Sequence, residues 1–166
     1  MLIIYIIWLL FQAVFSEVVH QIHFILIKGQ AWASASSITL LGYQGHYVDG
    51  DAICLGRIFI NGNPSVCVGT GCSGLEMFIV YAAFIIVMNG GKWVKMSWYL
   101  PMGMLIMMIL NVFRIVSLAF IHKFAPQYLY FNHKYTFVLM LYGAVFGLWY
   151  IWITRIAVAN NTKHEE

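Results

Sequence analysis

The sequence predicts an all-α polytopic membrane protein with about four transmembrane helices, a short interfacial helix and a small β-hairpin before the second span. Hydrophobic residues make up 62% of the 166 residues and charged residues only 9%, whereas about 25% of a soluble domain is charged. The apolar residues also form runs long enough for a helix to cross the bilayer, which takes about 20 residues. We therefore expect a single membrane-embedded domain over residues 1–166.

Four apolar runs predict the spans, at about residues 1–22, 73–89, 99–121 and 135–154. Between the first two, the segment 29–45 is rich in serine, alanine and glycine, and it predicts a short helix on the membrane surface followed by a loop. The formal charge is only +3 and no basic run occurs. The sequence therefore gives no indication of nucleic-acid binding.

The segment before the second span, residues 43–71, has the pattern of short strands and turns. Asn61 and Gly62 separate two strand-like runs, at 53–60 and 65–68, and such a pair is a strong hairpin signal. An open sheet edge is not tolerated in hydrocarbon. The hairpin is therefore predicted to lie outside the membrane, directly before the second span.

Cys72 lies where this polar segment becomes an apolar helix, between Gly71 and Ser73. A helix N-terminus and a nearby cation favour the thiolate form of a cysteine, and the thiolate is the nucleophile. The alternative is that Cys72 is a small buried apolar residue. The chain has three cysteines, and the sequence leaves open whether Cys54 and Cys67 bridge the hairpin.

Counting the spans brings two further residues to the same side of the membrane as Cys72. Arg114 falls in the half of the third span that faces this side, where a buried arginine either forms an ion pair, for example with Glu76, or stabilises an anionic intermediate. His133 precedes the fourth span and can carry a proton for a cysteine nucleophile. His122, on the same side, is the alternative proton carrier.

Three polar residues are expected to support this site. Asn111 lies one turn before Arg114 on the same helix face, where a hydrogen bond to another helix is the expected role. Glu76 follows Cys72 by four residues and is positioned either to orient Arg114 or to hold it away from the thiolate. Ser73 directly follows the cysteine.

Three motifs in this order resemble the exosortase and archaeosortase family. They are GCSGLEMF at 71–78, NVFRI at 111–115 and NHKYTF at 132–137. The resemblance extends over roughly residues 41–152, and the short chain is most similar to the compact members from the Bacteroidetes group.

The resemblance implies a membrane-embedded cysteine transpeptidase of the bacterial inner membrane. Its substrates would be secreted proteins with a C-terminal sorting signal, made of a short motif, a hydrophobic helix and a basic cluster. Cys72 would form a thioester with the substrate, His133 would transfer protons, and Arg114 would stabilise the oxyanion. Besides membrane lipid, the partners implied are the sorting signal and an amine or glycolipid acceptor, with no metal and no cofactor.

The charged loops give limited information on orientation, because basic residues divide evenly between the two sides. Lys92 and Lys95 lie in the short loop after the second span, and this pair favours the cytoplasm for that end. The site would then face the extracytoplasmic side.

Three other functions remain open from the sequence, of which a small transporter subunit is disfavoured because the predicted spans are neither repeated nor broken. The chain could be a structural or accessory membrane protein without chemistry, in which Cys72 tolerates replacement by serine. It could also be a thiol-redox protein that cycles a disulfide between Cys67 and Cys72, in which case both cysteines would be essential.

Overall fold

The computed structural model of the protein describes residues 2–51, 54–88 and 93–157. Five α-helical segments and three strands organise this part of the chain. The helices are α1 (Leu2–Leu40), α2 (Leu75–Val87), α3 (Trp93–Phe124), the single turn α4 (Leu129–Phe131) and α5 (Phe137–Ile151), and the strands are β1 (Gly45–Asp49), β2 (Gly56–Ile60) and β3 (Asn63–Val68).

Helix α1 runs without a break to Leu40, so the prediction of a separate interfacial helix within 29–45 is wrong. The loop predicted after that helix corresponds to the turn at 41–44. The hydroxyl groups of this segment do not compete with the helix, because each donates to a carbonyl four residues earlier, for example Ser34 to Gln30 at 2.7 Å. Gly42, at φ +89°, ends α1, with backbone bonds typical of a Schellman motif.

The three strands form an antiparallel sheet in the order β1-β2-β3. The predicted hairpin corresponds to β2 and β3, which are joined by Asn61 and Gly62 at φ 54° and 79°, as a type I′ turn requires. Strand β1 is not among the strands predicted from the sequence. This strand pairs with the whole length of β2, yet its few residues show little of the alternation that identifies a half-buried strand.

The sheet packs closely against the second half of α1. A Cβ atom on Gly45 would overlap the carbonyl oxygen of Ala35, and one on Gly56 would press on Tyr47 and reach Ala31. Apolar residues of α1, the sheet and α3 form one buried cluster at this end of the molecule, which includes Ile27, Ala31, Ile38, Ile58, Ile60, Val68, Cys72 and Ile115.

Cys54 and Cys67 form a disulfide with their Cα atoms 5.5 Å apart, and Cys72 is a free thiol. This disulfide joins β3 to the segment before β2. The alternative of a thiol-redox pair between Cys67 and Cys72 is therefore wrong for this structure, because Cys67 is already bonded to a different sulfur atom.

Two helical segments in the described part of the chain are long and apolar enough to cross a membrane, Trp93–Phe124 and Pro126–Arg155. Helix α2 is apolar but has 13 residues, or about 20 Å at 1.5 Å per residue, which is shorter than the hydrocarbon core of a bilayer. The prediction of about four spans is thus not confirmed. Lys92 is one of the two lysines on which the predicted membrane orientation depends. It lies outside the described residues, as does the chain after residue 157.

Tyrosine side chains fix α2, α3 and α5 relative to one another. The Tyr81 hydroxyl donates to the carbonyl oxygen of Tyr99 at 3.0 Å, and the Tyr99 hydroxyl donates to that of Leu148 at 2.6 Å. Gly103 makes this approach possible, because a Cβ atom there would overlap the Tyr81 ring. These contacts hold in place the helices that carry the residues of the candidate site.

Candidate active site

Cys72 lies on a 3-10 turn between β3 and α2. The turn spans Thr70–Cys72, and its backbone bonds run from the Cys72 N–H to the Gly69 carbonyl at 2.9 Å and from the Ser73 N–H to the Thr70 carbonyl at 3.0 Å. Gly74, at φ +73°, then caps α2. The helix therefore begins at Leu75, two residues later than the predicted start of the second span at residue 73.

Arg114 and His133 both contact the Cys72 thiol. Nη2 of Arg114 lies 3.8 Å from Sγ of Cys72, Nε2 of His133 lies 3.8 Å from the same sulfur, and Nη2 and Nε2 are 3.4 Å apart. The structure thus brings together the three residues that span counting placed on one side of the membrane. A thiol, an imidazole and a guanidinium group therefore occupy one cluster.

The Arg114 side chain is buried among the helices, with 5% of its surface exposed. It extends from the face of α3 that also carries Met107, Asn111 and Leu118, at the spacing of one helical stripe. Its Nε atom is buried and has no hydrogen-bond partner in the described structure. The guanidinium group therefore has a donor to offer to a ligand.

His133 is held on a π-helical turn, Asn132–Thr136, between α4 and α5. Turns of this kind are rare and often occur at functional sites. One nitrogen of the ring faces the thiol and Arg114, while the residue as a whole is exposed. His133 can therefore exchange a proton between the buried thiol and a group that enters from solvent.

Asn111 bonds the turn that carries Cys72. Its Nδ2 atom donates to the Cys72 carbonyl and to Oε1 of Gln30, both at 2.7 Å. The predicted hydrogen bond to another helix is thus present, and its partner lies on α1. Ser73 is 1% exposed, and its hydroxyl accepts from the Leu75 N–H at 3.2 Å and lies 2.7 Å from Nδ1 of His23.

Gln30 and His23 both contact Ser73, and neither is among the residues predicted for the site. Both lie on α1, far from Cys72 in sequence. One signal was available for Gln30: it occupies the apolar stripe of a continuous α1, between Ile27 and Ala31, and a polar residue in such a stripe needs a partner. The assumed break in α1 hid that stripe.

Glu76 and His122 lie near the cluster without joining it. Glu76 is exposed in the first turn of α2, and the ion pairs of the described residues do not include one between Glu76 and Arg114. The left-handed conformation of Gly74 explains this, because Cys72 and Glu76 do not share a helix face. His122 is exposed near the end of α3, and its ring is not among the contacts of the thiol.

Two clefts reach the cluster. One, of about 420 Å³, lies between β3 and the turns after α3 and is lined by both His122 and His133. The other, of about 200 Å³, lies at the start of α2 and is lined by residues of the Cys72 turn, by Glu76 and by Arg114. One cleft is thus lined by the imidazole of the cluster and the other by its guanidinium group.

The fold and the site together define a helical membrane protein with a cysteine-centred site at one end of its helices. The chain belongs to the transmembrane exosortase family, whose model matches residues 1–157. The family resemblance of the three motifs is thereby confirmed. Membership implies a transpeptidase-like role in general and suggests a cysteine transpeptidase. No curated protein matches the chain, and no solved structure does either.

Proposed function

We propose that the protein is a membrane-embedded cysteine transpeptidase that cleaves the C-terminal sorting signals of secreted proteins through a thioester on Cys72. The observation that carries the proposal is the mutual contact of Cys72, Arg114 and His133, all within 3.8 Å. Attack on a peptide bond needs a nucleophile, a group that carries its proton and a donor for the oxyanion. The cluster offers one residue for each of these roles.

Formation of the thioester follows from this arrangement. His133 Nε2 takes the thiol proton as the sulfur of Cys72 attacks the scissile carbonyl carbon, and the π electrons of the carbonyl move to its oxygen. Arg114 donates hydrogen bonds to that oxyanion. When the tetrahedral intermediate collapses, the C–N bond breaks, and the leaving amine takes the proton from His133.

The acceptor step runs in the reverse sense. His133 removes a proton from an incoming amine or hydroxyl group, which attacks the thioester carbonyl. The second tetrahedral intermediate again places its oxyanion against Arg114, and the sulfur of Cys72 leaves and is protonated by His133. Transfer to a cell-surface amine or glycolipid gives an anchored product, and attack by water gives release.

The surface of the molecule supports a substrate of this kind. Large apolar side chains are exposed along α3 and α5, for example Trp98 (80%) and Leu139 (75%). A hydrophobic signal helix in the same bilayer can lie along such surfaces. The short recognition motif before it would then enter one of the two clefts beside the thiol.

The disulfide supports an orientation with the site outside the cytoplasm. Structural disulfides persist in oxidising compartments and are rare in the cytosol. The Cys54–Cys67 bridge joins the same sheet that leads directly into the Cys72 turn. We therefore assign the site to the extracytoplasmic face of the inner membrane.

The direct test is to trap the thioester in cells. Membranes from cells that express the wild-type chain, Cys72→Ala or Cys67→Ala are digested, and peptides joined to residue 72 are identified by mass spectrometry. We expect hydroxylamine-sensitive adducts in the wild type and in Cys67→Ala, and none in Cys72→Ala. If secreted proteins with C-terminal apolar helices are processed normally by Cys72→Ala cells that lack the wild-type protein, the proposal fails.

A further inference from the structure

A buried hydrogen-bond network ties the Cys72 turn to α1. Gln30 is fully buried on α1, and Asn111 and Ser73 are each 1% exposed. Nε2 of Gln30 donates to the Ser73 carbonyl at 2.9 Å, and Oε1 of Gln30 accepts from Nδ2 of Asn111 at 2.7 Å. The same Asn111 nitrogen donates its other hydrogen to the Cys72 carbonyl at 2.7 Å.

These bonds hold two successive carbonyl groups that lie outside the helical hydrogen-bond ladder. The first bond of α2 uses the Gly74 carbonyl, which accepts from the Phe78 N–H. The carbonyl groups of Cys72 and Ser73 precede it and accept from the side-chain amides of α3 and α1 instead. Asn111 and Gln30 therefore act together with the backbone bonds of the 3-10 turn in fixing the peptide planes around Cys72.

Only a primary amide of this length meets both requirements on Gln30. Its nitrogen must donate to the Ser73 carbonyl while its oxygen accepts from Asn111, and the reversed amide would place oxygen against oxygen and nitrogen against nitrogen. A carboxylate would lack the donor and would be buried as a charge. An apolar side chain of the same volume, or a polar one without both a donor and an acceptor, could therefore not replace the two bonds of Gln30.

We propose that Gln30 is a positioning residue that, together with Asn111, holds the Cys72 thiol against Arg114 and His133. The inference rests on the proposed transpeptidase function for its effect on turnover. Its effect on the thiol itself does not depend on that function. The side chain of Gln30 bonds to the Ser73 carbonyl and to Asn111 and not to the sulfur, so it acts through these two groups.

The test uses the full-length chain in proteoliposomes. Cys54 and Cys67 form a disulfide, so Cys72 is the only free thiol of the three cysteines, and its alkylation by a maleimide reports on one site. Gln30→Met keeps the length of the side chain and removes the amide, and Gln30→Glu is a second variant of equal size. Ser37→Ala is the matched control, because Ser37 is half-buried on α1 and its hydroxyl donates to the Ala33 carbonyl at 2.8 Å, outside the network of Gln30.

We expect both Gln30 variants to slow alkylation towards the rate of Arg114→Ala. Because small displacements of reacting groups cost up to about 10²-fold in rate, kcat for sorting-signal cleavage should fall by up to that factor. KM should stay within about twofold, since substrate contacts are kept. Ser37→Ala should behave as the wild type in both assays.

Wild-type alkylation and kcat in a folded Gln30 variant would overturn the proposal, as would an equal loss in Ser37→Ala. Failure of both Gln30 variants to fold, judged by gel filtration and thermal unfolding, would overturn it as well, because Gln30 would then be required for the fold. If alkylation slows in the Gln30 variants while Cys72→Ala still processes substrates, the positioning role stands and the transpeptidase proposal fails.

Discussion

Arg114 contacts His133 as well as Cys72, and a single nitrogen, Nη2, makes both contacts, at 3.4 Å and 3.8 Å. The guanidinium group therefore fixes the position of the imidazole as well as facing the sulfur. Its buried Nε has no partner among the described groups and adds a second donor. A residue at this position needs several donors in a rigid plane, which distinguishes arginine from lysine.

Arg114→Lys should be severely impaired although it keeps the charge. Loss of a donor to the oxyanion typically lowers kcat by about 10²–10³-fold, and we expect a loss of this size in sorting-signal processing. Arg57→Lys is the control, because Arg57, on β2, forms an exposed ion pair with Asp51 in the loop before that strand. Normal processing by Arg114→Ala would contradict the oxyanion role.

His133→Ala and His122→Ala should separate the two candidate proton carriers. Loss of a general acid–base residue commonly lowers the rate by about 10²–10⁴-fold, and we expect this for His133, whose Nε2 lies 3.8 Å from the thiol. His122→Ala should retain near wild-type turnover. The measurement is the rate of cleavage of a reporter with a C-terminal signal. Activity in His133→Ala with loss in His122→Ala would transfer the role to His122.

The double variant Cys54→Ala/Cys67→Ala should keep its activity and lose stability. The disulfide closes a loop between residues 13 apart in sequence, and such bridges stabilise a fold by about 2–4 kcal/mol. We expect a lower unfolding temperature and unchanged turnover at low temperature. The control is the number of reactive thiols in the single variant Cys54→Ala. It should exceed that of the wild type by one, because Cys67 loses its disulfide partner. Full loss of turnover at unchanged stability would assign the disulfide a part in the reaction.

Gly74→Ala should weaken the start of α2. Gly74 has φ +73°, and a left-handed conformation costs a residue with a Cβ atom about 1–2 kcal/mol. We expect a matching decrease in the free energy of unfolding, together with slower alkylation of Cys72, because the turn is displaced. Gly143→Ala is the control, since Gly143 lies within α5 and a Cβ atom there meets open space. Equal stability of the two variants would rule out strain at Gly74.

The convergence of Cys72, Arg114 and His133 could be predicted because it depends on the order and number of the helices. Both can be read from the apolar runs and from the polar segments between them. The contacts with Gln30 could not, because they depend on α1 continuing past residue 29, where serine and glycine content suggested a break. Glu76 follows Cys72 by four residues, a spacing that puts two residues on one face only if the helix is continuous between them. Gly74 interrupts that helix because it adopts a left-handed conformation. The pattern of hydrophobic residues gives no information on a single backbone angle.

The π-helical turn at Asn132–Thr136 changes the direction, around the helix axis, in which the side chains before α5 point relative to those of α5. It contains one residue more than an α-helical turn, and each residue of an α-helix corresponds to a rotation of about 100°. The direction of His133 is thus decoupled from the buried face of α5, which carries Phe137, Leu141 and Val145. Deleting one residue from this turn would keep the helix and its packing face, but it would rotate the imidazole away from the sulfur.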